Sequence, residues 1–199
     1  MIPKNLIRPL RWLRRFRKRR GYGIHSPAAF QFVTGVIYEK GAYYAYETLR
    51  EERNAMHLSS REKDDRLLFR LVNYHHPSFM VALGEGKEFD MACHYMKAAR
   101  RCPLSQVSPS AKAQGLLPQA DFYYLDAPKW ETFLPQLLSH LADGTFIVVR
   151  NPHGSTHSLE AWHKLCNDPR VRQSYDLYDF GICQCEARLN KEHFTINYY

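Results

Sequence analysis

The chain of 199 residues is 45% hydrophobic and 14% aromatic, which supplies a real core and excludes wholesale disorder. Its length fits one domain with a short appendage. The net charge of +8 sits at one end: residues 1–38 hold nine of the 28 Lys and Arg and no acid, leaving 19 basic residues against 20 acidic ones. The globular part is therefore near neutral, and the basic balance belongs to an arm.

That arm, residues 1–20, mixes Leu6, Leu10, Trp12, Leu13 and Phe16 with arginines. The pattern predicts a basic amphipathic helix suited to anionic lipid, to nucleic acid, or to its own domain. No apolar stretch follows it as in a secretory signal, and no window reaches the roughly 20 apolar residues of a membrane span. Cys93, Cys102, Cys166, Cys183 and Cys185 are odd in number and lack zinc-type spacing, which fits free thiols in a reducing cytoplasm.

Residues 21–76 read as a helical segment. Gly21 and Gly23 break the arm, and Ser26-Pro27 supplies an N-cap and a first helical position. The helix that follows is expected to turn Phe30, Val33 and Ile37 inward. After the tyrosine-rich run at 43–46, Leu67, Leu68, Leu71 and Val72 form a helical stripe that stops at Pro77.

From residue 77 to 199 strands alternate with helices. Strand 79–83 feeds helix 87–100, and a short apolar stretch follows at 104–107. Strand 121–126 precedes a helical stripe of Phe133, Leu134, Leu137, Leu138 and Leu141. Strand 145–149 is wholly apolar and suits a buried central place. Helix 155–166 comes next, and the chain closes in strands at 171–178, 181–187 and 194–199. This order predicts an α/β fold: a doubly wound, Rossmann-like, mostly parallel sheet with a C-terminal antiparallel hairpin and added N-terminal helices.

Chemistry-bearing residues gather at one edge of that sheet. Gly84-Glu85-Gly86 ends the first strand, where glycines let a ligand approach the backbone and a helix N-terminus offers free N–H groups. Phe89 stands where a dinucleotide fingerprint needs its third glycine, so an ordinary tight turn is the competing reading. Asp126 ends the next long strand, and Arg150, Asn151 and His153 follow the one after. His153, His157 and His163 find no convincing third ligand nearby, so no metal is expected. Neither a G-x-S-x-G elbow nor a Walker loop is present, which removes hydrolase and kinase readings.

Several motifs then resemble a group of bacterial class I S-adenosylmethionine-dependent methyltransferases of O-methyltransferase type. They are Tyr-Gly-Ile-His-Ser-Pro at 22–27, Tyr-Tyr-Ala-Tyr-Glu at 43–47, Phe-Tyr-Tyr-Leu-Asp at 122–126, the segment from His153 to Trp162, and the two C-terminal runs ending in Asn197-Tyr198. The resemblance spans residues 20–199. It implies a seven-stranded sheet with S-adenosylmethionine over the glycine turn, lined by Gly84, Glu85, Gly86, Ser108 and Asp126. It further implies His153 with Asp126 as an acid–base pair, Arg150 and Asn151 on the side of a small-molecule substrate, and allows a homodimer.

The sequence departs from that group where the cofactor is held. Ala82 replaces the acid before the glycines, and no Asp or Glu lies between Asp90 and Asp121, so no carboxylate is there for ribose hydroxyls. Ser108 is a neutral substitute without charge assistance. Two lost charge-assisted hydrogen bonds weaken binding by about two to four decades. Residues 103–120 carry three prolines and are short for the helix, strand and helix of the group, and Arg150-Asn151-Pro152 puts a cation where the group has acids. The expectation is a methyltransferase-like protein with weakened or lost cofactor binding, an interaction module. Its rivals are an active divergent O-methyltransferase and a basic-arm protein that binds anionic lipid or nucleic acid.

Overall fold

The computed structural model describes Arg15, Lys18 and residues 21–109 and 117–198. The helix expected over the arm lies outside the described residues, apart from Arg15 and Lys18. Among the described residues no helix is long and apolar enough to cross a membrane.

Helix α1 (Pro27–Phe32) starts as its cap residues predict: Ser26 Oγ accepts from Ala29 N–H, and Pro27 takes the first turn. It runs on into a π-helical turn over Val33–Ile37. The buried face is the stripe Ala29, Phe32, Val33, Val36 and Ile37, which keeps two of the three expected residues. Phe32, Val33 and Ile37 are buried, while Phe30, expected inward, is 45% exposed. Helices α2 (Ala45–Ala55) and α3 (Glu62–His75) follow. Glu62, Asp64 and Asp65 stand in the first turn of α3, where carboxylates suit the helix dipole. The left-handed His76 ends it just ahead of Pro77.

The sheet contains β1 (Met80–Gly84), β2 (Leu104–Val107), β3 (Phe122–Asp126), β4 (Thr145–Arg150), β5 (Gln173–Asp176), β6 (Phe180–Cys185) and β7 (Glu192–Thr195). Their spatial order is β2-β1-β3-β4-β6-β5-β7. Every pairing is parallel except the two made by β6, which runs against β4 on one side and β5 on the other. The expected closing hairpin is thus β5–β6. The last strand, β7, passes over it and pairs parallel with β5, which adds an edge strand beyond the hairpin. Helices α4 (Lys87–Ala99), α5 (Leu134–His140) and α6 (Thr156–Asn167) fill the crossovers, with a 3₁₀ turn at Trp130–Phe133 leading into α5.

The period of two along each strand splits the core into two layers. Met80, Ala82, Phe122, Tyr124, Phe146 and Val148 face α1, α3 and α4. Val81, Leu83, Tyr123, Leu125, Ile147 and Val149 face α5 and α6. Helices α1 and α3 therefore share a core with the sheet, while α2 packs through Tyr46 and Leu49 on Phe69, Met91 and Tyr95 of α3 and α4; burial of each large apolar side chain contributes about 1.5–3 kcal/mol. One close approach fixes α6 on its face. A Cβ at Gly181 in β6 would lie 2.6 Å from two ring atoms of Trp162.

Candidate functional site

Three adjacent strands end together. Gly84 of β1 is in register with Asp126 of β3, and Arg150 follows the pairing of Leu125 with Val149. This row lies at the carboxyl ends of the parallel strands, where open α/β sheets hold ligands.

The glycine turn has the expected backbone. Gly86 has φ of 96° and opens α4 as its N-cap. The space against Gly84, however, is filled from within: a Cβ there would lie 2.7 Å from Phe89 Cε2 and 2.8 Å from the Asp126 carbonyl oxygen. Phe89 is buried and stacks on Tyr124, with ring centroids 6.2 Å apart and planes 8° apart. Beside the turn, Ser108 donates to Glu85 Oε2 over 3.0 Å, so two expected cofactor residues engage each other. The first turn of α4 carries its own carboxylates, Glu88 and Asp90. Glu88 accepts from Ser59 Oγ at 2.8 Å and from Ser60 N–H at 3.1 Å.

Asp126 accepts from the Tyr124 hydroxyl over 2.7 Å. Burial raises its carboxyl above the usual range, although Tyr124 and Arg150 pull the other way. Burial also raises Tyr124, with the Asp126 charge adding to it. The Arg150 guanidinium lies 3.3 Å from Asp64 Oδ2 and stacks over the Phe180 ring at 4.6 Å. Asp64 is also gripped by Arg61, which reaches Asp179 at 2.8 Å. Beside it Arg53 pairs with Asp65. Burial pushes Asp65 up to about 7 against the pull of Arg53 and Arg150. An ion-pair network rooted in the first turn of α3 thus covers the strand ends.

A cavity of about 410 Å³ opens beside this row. Asp126, Arg150 and Asn151 line it, together with Lys129, Trp130 and Ser155. Trp130 donates its indole N–H to Ser158 Oγ over 2.7 Å, which ties the 3₁₀ turn to the start of α6. Lys129 and Asn151 are both left-handed, with φ of 62° and 50°. Glu131 also lines this cavity, and its Oε2 is buried with no hydrogen-bond partner among the described residues.

His153 sits apart from Asp126. Its Nε2 lies 2.9 Å from Asp176 Oδ2, and its ring stacks on Tyr178 with centroids 4.5 Å apart. Arg15 forks onto the same carboxylate, at 3.0 Å to Oδ2 and 3.3 Å to Oδ1, and donates further to the Asp176 and Ile196 carbonyls. The structure therefore gathers Asp126, Arg150 and Asn151 at one cavity, places Gly84, Glu85, Gly86 and Ser108 at the neighbouring turn, and engages His153 elsewhere. Among the described residues no group of three or more His, Cys, Asp and Glu is arranged to hold a metal ion.

Sequence reasoning missed Asp64 and Asp65, which reach the site from α3, and Arg53, which reaches it from α2. Asp176 and Trp130 were missed as well. Two successive acids opening an amphipathic helix were the available signal for the first pair; nothing local marks the others.

Comparison with known proteins finds no matching family model and no matching curated protein. Solved structures do match. The SAH-bound Podospora anserina methyltransferase PaMTH1 aligns over 81% of this chain and 97% of its own, with a TM-score of 0.51 and 12% identity. The SAM complex of the O-methyltransferase TomG from Streptomyces achromogenes covers 74% of this chain and 92% of its own, at TM-score 0.48 and 13% identity. The Bacillus cereus O-methyltransferase in complex with SAH covers 78% and 96%, at TM-score 0.47 and 15% identity. Together with the strand order, the first of these defines the architecture: the chain has the Rossmann-like fold of methyltransferases.

Proposed function

We propose that this protein is a methyltransferase-fold module that has lost methyl-donor binding and works by interaction. The observation that carries the reading is Phe89 lying against Gly84 and stacked on Tyr124, which fills the cradle a nucleoside cofactor needs. The ribose side points the same way. No acid lies between Asp90 and Asp121, and Ser108 is turned to Glu85. At the far side the strand ends in the Arg150 cation, which is held by Asp64. The described residues do not fit S-adenosylmethionine. Titration calorimetry with S-adenosylmethionine and S-adenosylhomocysteine tests this: the expected result is no saturable heat into the millimolar range, and micromolar binding overturns it.

A second reading, an active O-methyltransferase acting on a small molecule, is favoured by the cavity of about 410 Å³ beside Asp126, Arg150 and Asn151. It requires that Asp126→Ala and Gly86→Val each weaken measured cofactor binding. Removal of residues 1–20 abolishes retention on anionic liposomes or RNA at low salt if the arm carries that contact.

A further inference from the structure

Two contacts fix the place where the basic arm meets the body. Arg15 forks onto Asp176 at the end of β5, and the Lys18 carbonyl accepts from Asn197 N–H over 3.0 Å just past β7. Gly21 follows with φ of 79°, and the Phe30 ring lies over it: a Cβ at Gly21 would fall 2.9 Å from two atoms of that ring. Phe30 is nevertheless half open to solvent, and the neighbouring Tyr22 is 76% exposed. Apolar surface is thus left uncovered beside the root of the arm, on a stretch, residues 21–38, that holds no Asp or Glu.

We propose that residues 1–20 and the surface of Tyr22 and Phe30 form one docking face for an anionic phospholipid bilayer. Charge selects an anionic partner. Nine Lys and Arg stand in residues 1–20, and the first acid of the chain is Glu39. Asp176, the carboxylate at the root, is taken by Arg15 and His153 and leaves the other arm cations to an outside partner.

Composition selects lipid over nucleic acid. Leu6, Ile7, Leu10 and Leu13 are interleaved with the arginines, beside Trp12 and Phe16. Aliphatic side chains gain little from a phosphate backbone, whereas at a bilayer they leave water for the acyl boundary while arginine stems keep their heads at the phosphates. Trp12 and Tyr22 suit the headgroup layer, and Phe30 its apolar side. The face therefore binds through two separable parts, charge on the arm and apolar burial that extends onto the body. This docking is independent of methyl-donor binding.

The test is co-sedimentation of the full chain with vesicles in about 0.1 M salt, where exposed charges still act over ~10 Å. One set of vesicles is phosphatidylcholine alone; the other contains phosphatidylserine as one lipid in four. Partition onto the mixed vesicles is expected to exceed that onto the neutral ones by about a hundredfold. Tryptophan emission moves to the blue on binding, and the change reports Trp12, because Trp130 and Trp162 are already buried. Replacing Arg8, Arg11, Arg14 and Arg17 together by Gln lowers the partition by about a hundredfold; Arg15 is kept because it holds Asp176. Tyr22→Ser combined with Phe30→Ser lowers it by about tenfold at unchanged charge. Equal partition onto the two kinds of vesicle overturns the proposal, as does a serine pair with native circular dichroism that binds as well as the unmutated chain. If oligouridylate strips the chain from the vesicles at equal phosphate, the partner is nucleic acid and the assignment to lipid is wrong. The vesicle comparison and the arginine variant decide the matter even where the serine pair fails to fold.

Discussion

Phe89 packs over Gly84 so that a Cβ there would fall 2.7 Å from its ring Cε2 and 2.8 Å from the Asp126 carbonyl oxygen. Gly84→Ala is therefore an overpacking change, expected to cost about 1–3 kcal/mol in denaturant unfolding. If the space above Gly84 were open, the added methyl would be nearly neutral. A double-mutant cycle with Phe89→Leu separates the two cases, because a smaller side chain at 89 recovers part of the loss only if the two groups touch. The same Phe89→Leu chain, titrated with S-adenosylhomocysteine, tests whether that ring is what closes the cradle.

Arg150 makes a second prediction. Its guanidinium links Asp64 in α3 to the end of β4 and covers Phe180. Arg150→Met keeps most of the stem and removes the charge, leaving Asp64 with Arg61 alone. Breaking such a buried pair is expected to cost about 3 kcal/mol. Adding Asp64→Asn to Arg150→Met reduces the further loss, since the uncompensated charge is gone. Additive losses in that cycle count against a coupled network.

The fold and one row of the site were legible in the sequence because they depend on local periodicity. Apolar strands of period two, helical stripes of period 3.6 and the glycine turn placed Gly84, Asp126 and Arg150 at one edge without reference to distant residues. Phe30 was misplaced because apolar residues at 29, 30, 32 and 33 allow two overlapping helical stripes, and the buried one runs through Ala29, Phe32, Val33, Val36 and Ile37. The partner of His153 could not be read either. Asp176 reaches it only because β6 is inserted between β4 and β5, a matter of sheet order. The network of Arg53, Asp64 and Asp65 joins residues through tertiary contacts between α2, α3 and the strand ends, and ion pairs of that kind leave no periodic trace.

Asp176 supplies the pH dependence. Burial alone would raise it, but the hydrogen bonds of His153 and Arg15 bring it down to about 2. An unfolded Asp titrates near 3.9. A depressed folded value means its stabilisation is present above about pH 4 and is lost as pH falls from about 4 towards 2. The difference is worth roughly 2–3 kcal/mol. Asp176→Asn is expected to lower stability by about that amount at pH 7 and to converge with the unmutated chain near pH 2. Parallel curves for the two proteins across pH 2–5 would show that Arg15 and His153 do not hold this carboxylate in solution.

Gly181 offers a prediction whose sign decides the matter. A glycine inside a strand usually costs about 0.5–1 kcal/mol relative to alanine, so propensity alone makes Gly181→Ala stabilising. The approach of Trp162 argues the reverse, because the new Cβ would sit 2.6 Å from ring atoms of a side chain that is only 3% exposed. The indole cannot retreat, since it is held between α6 and the sheet in the same core as Leu165 and Val149. Gly181→Ala is expected to destabilise by about 1–3 kcal/mol. Trp162→Leu also destabilises, through the volume it leaves. In the double variant the two losses should sum to less than their separate values, because the methyl then fills space the indole has vacated. A stabilising Gly181→Ala would mean that α6 stands farther from β6 than this packing requires.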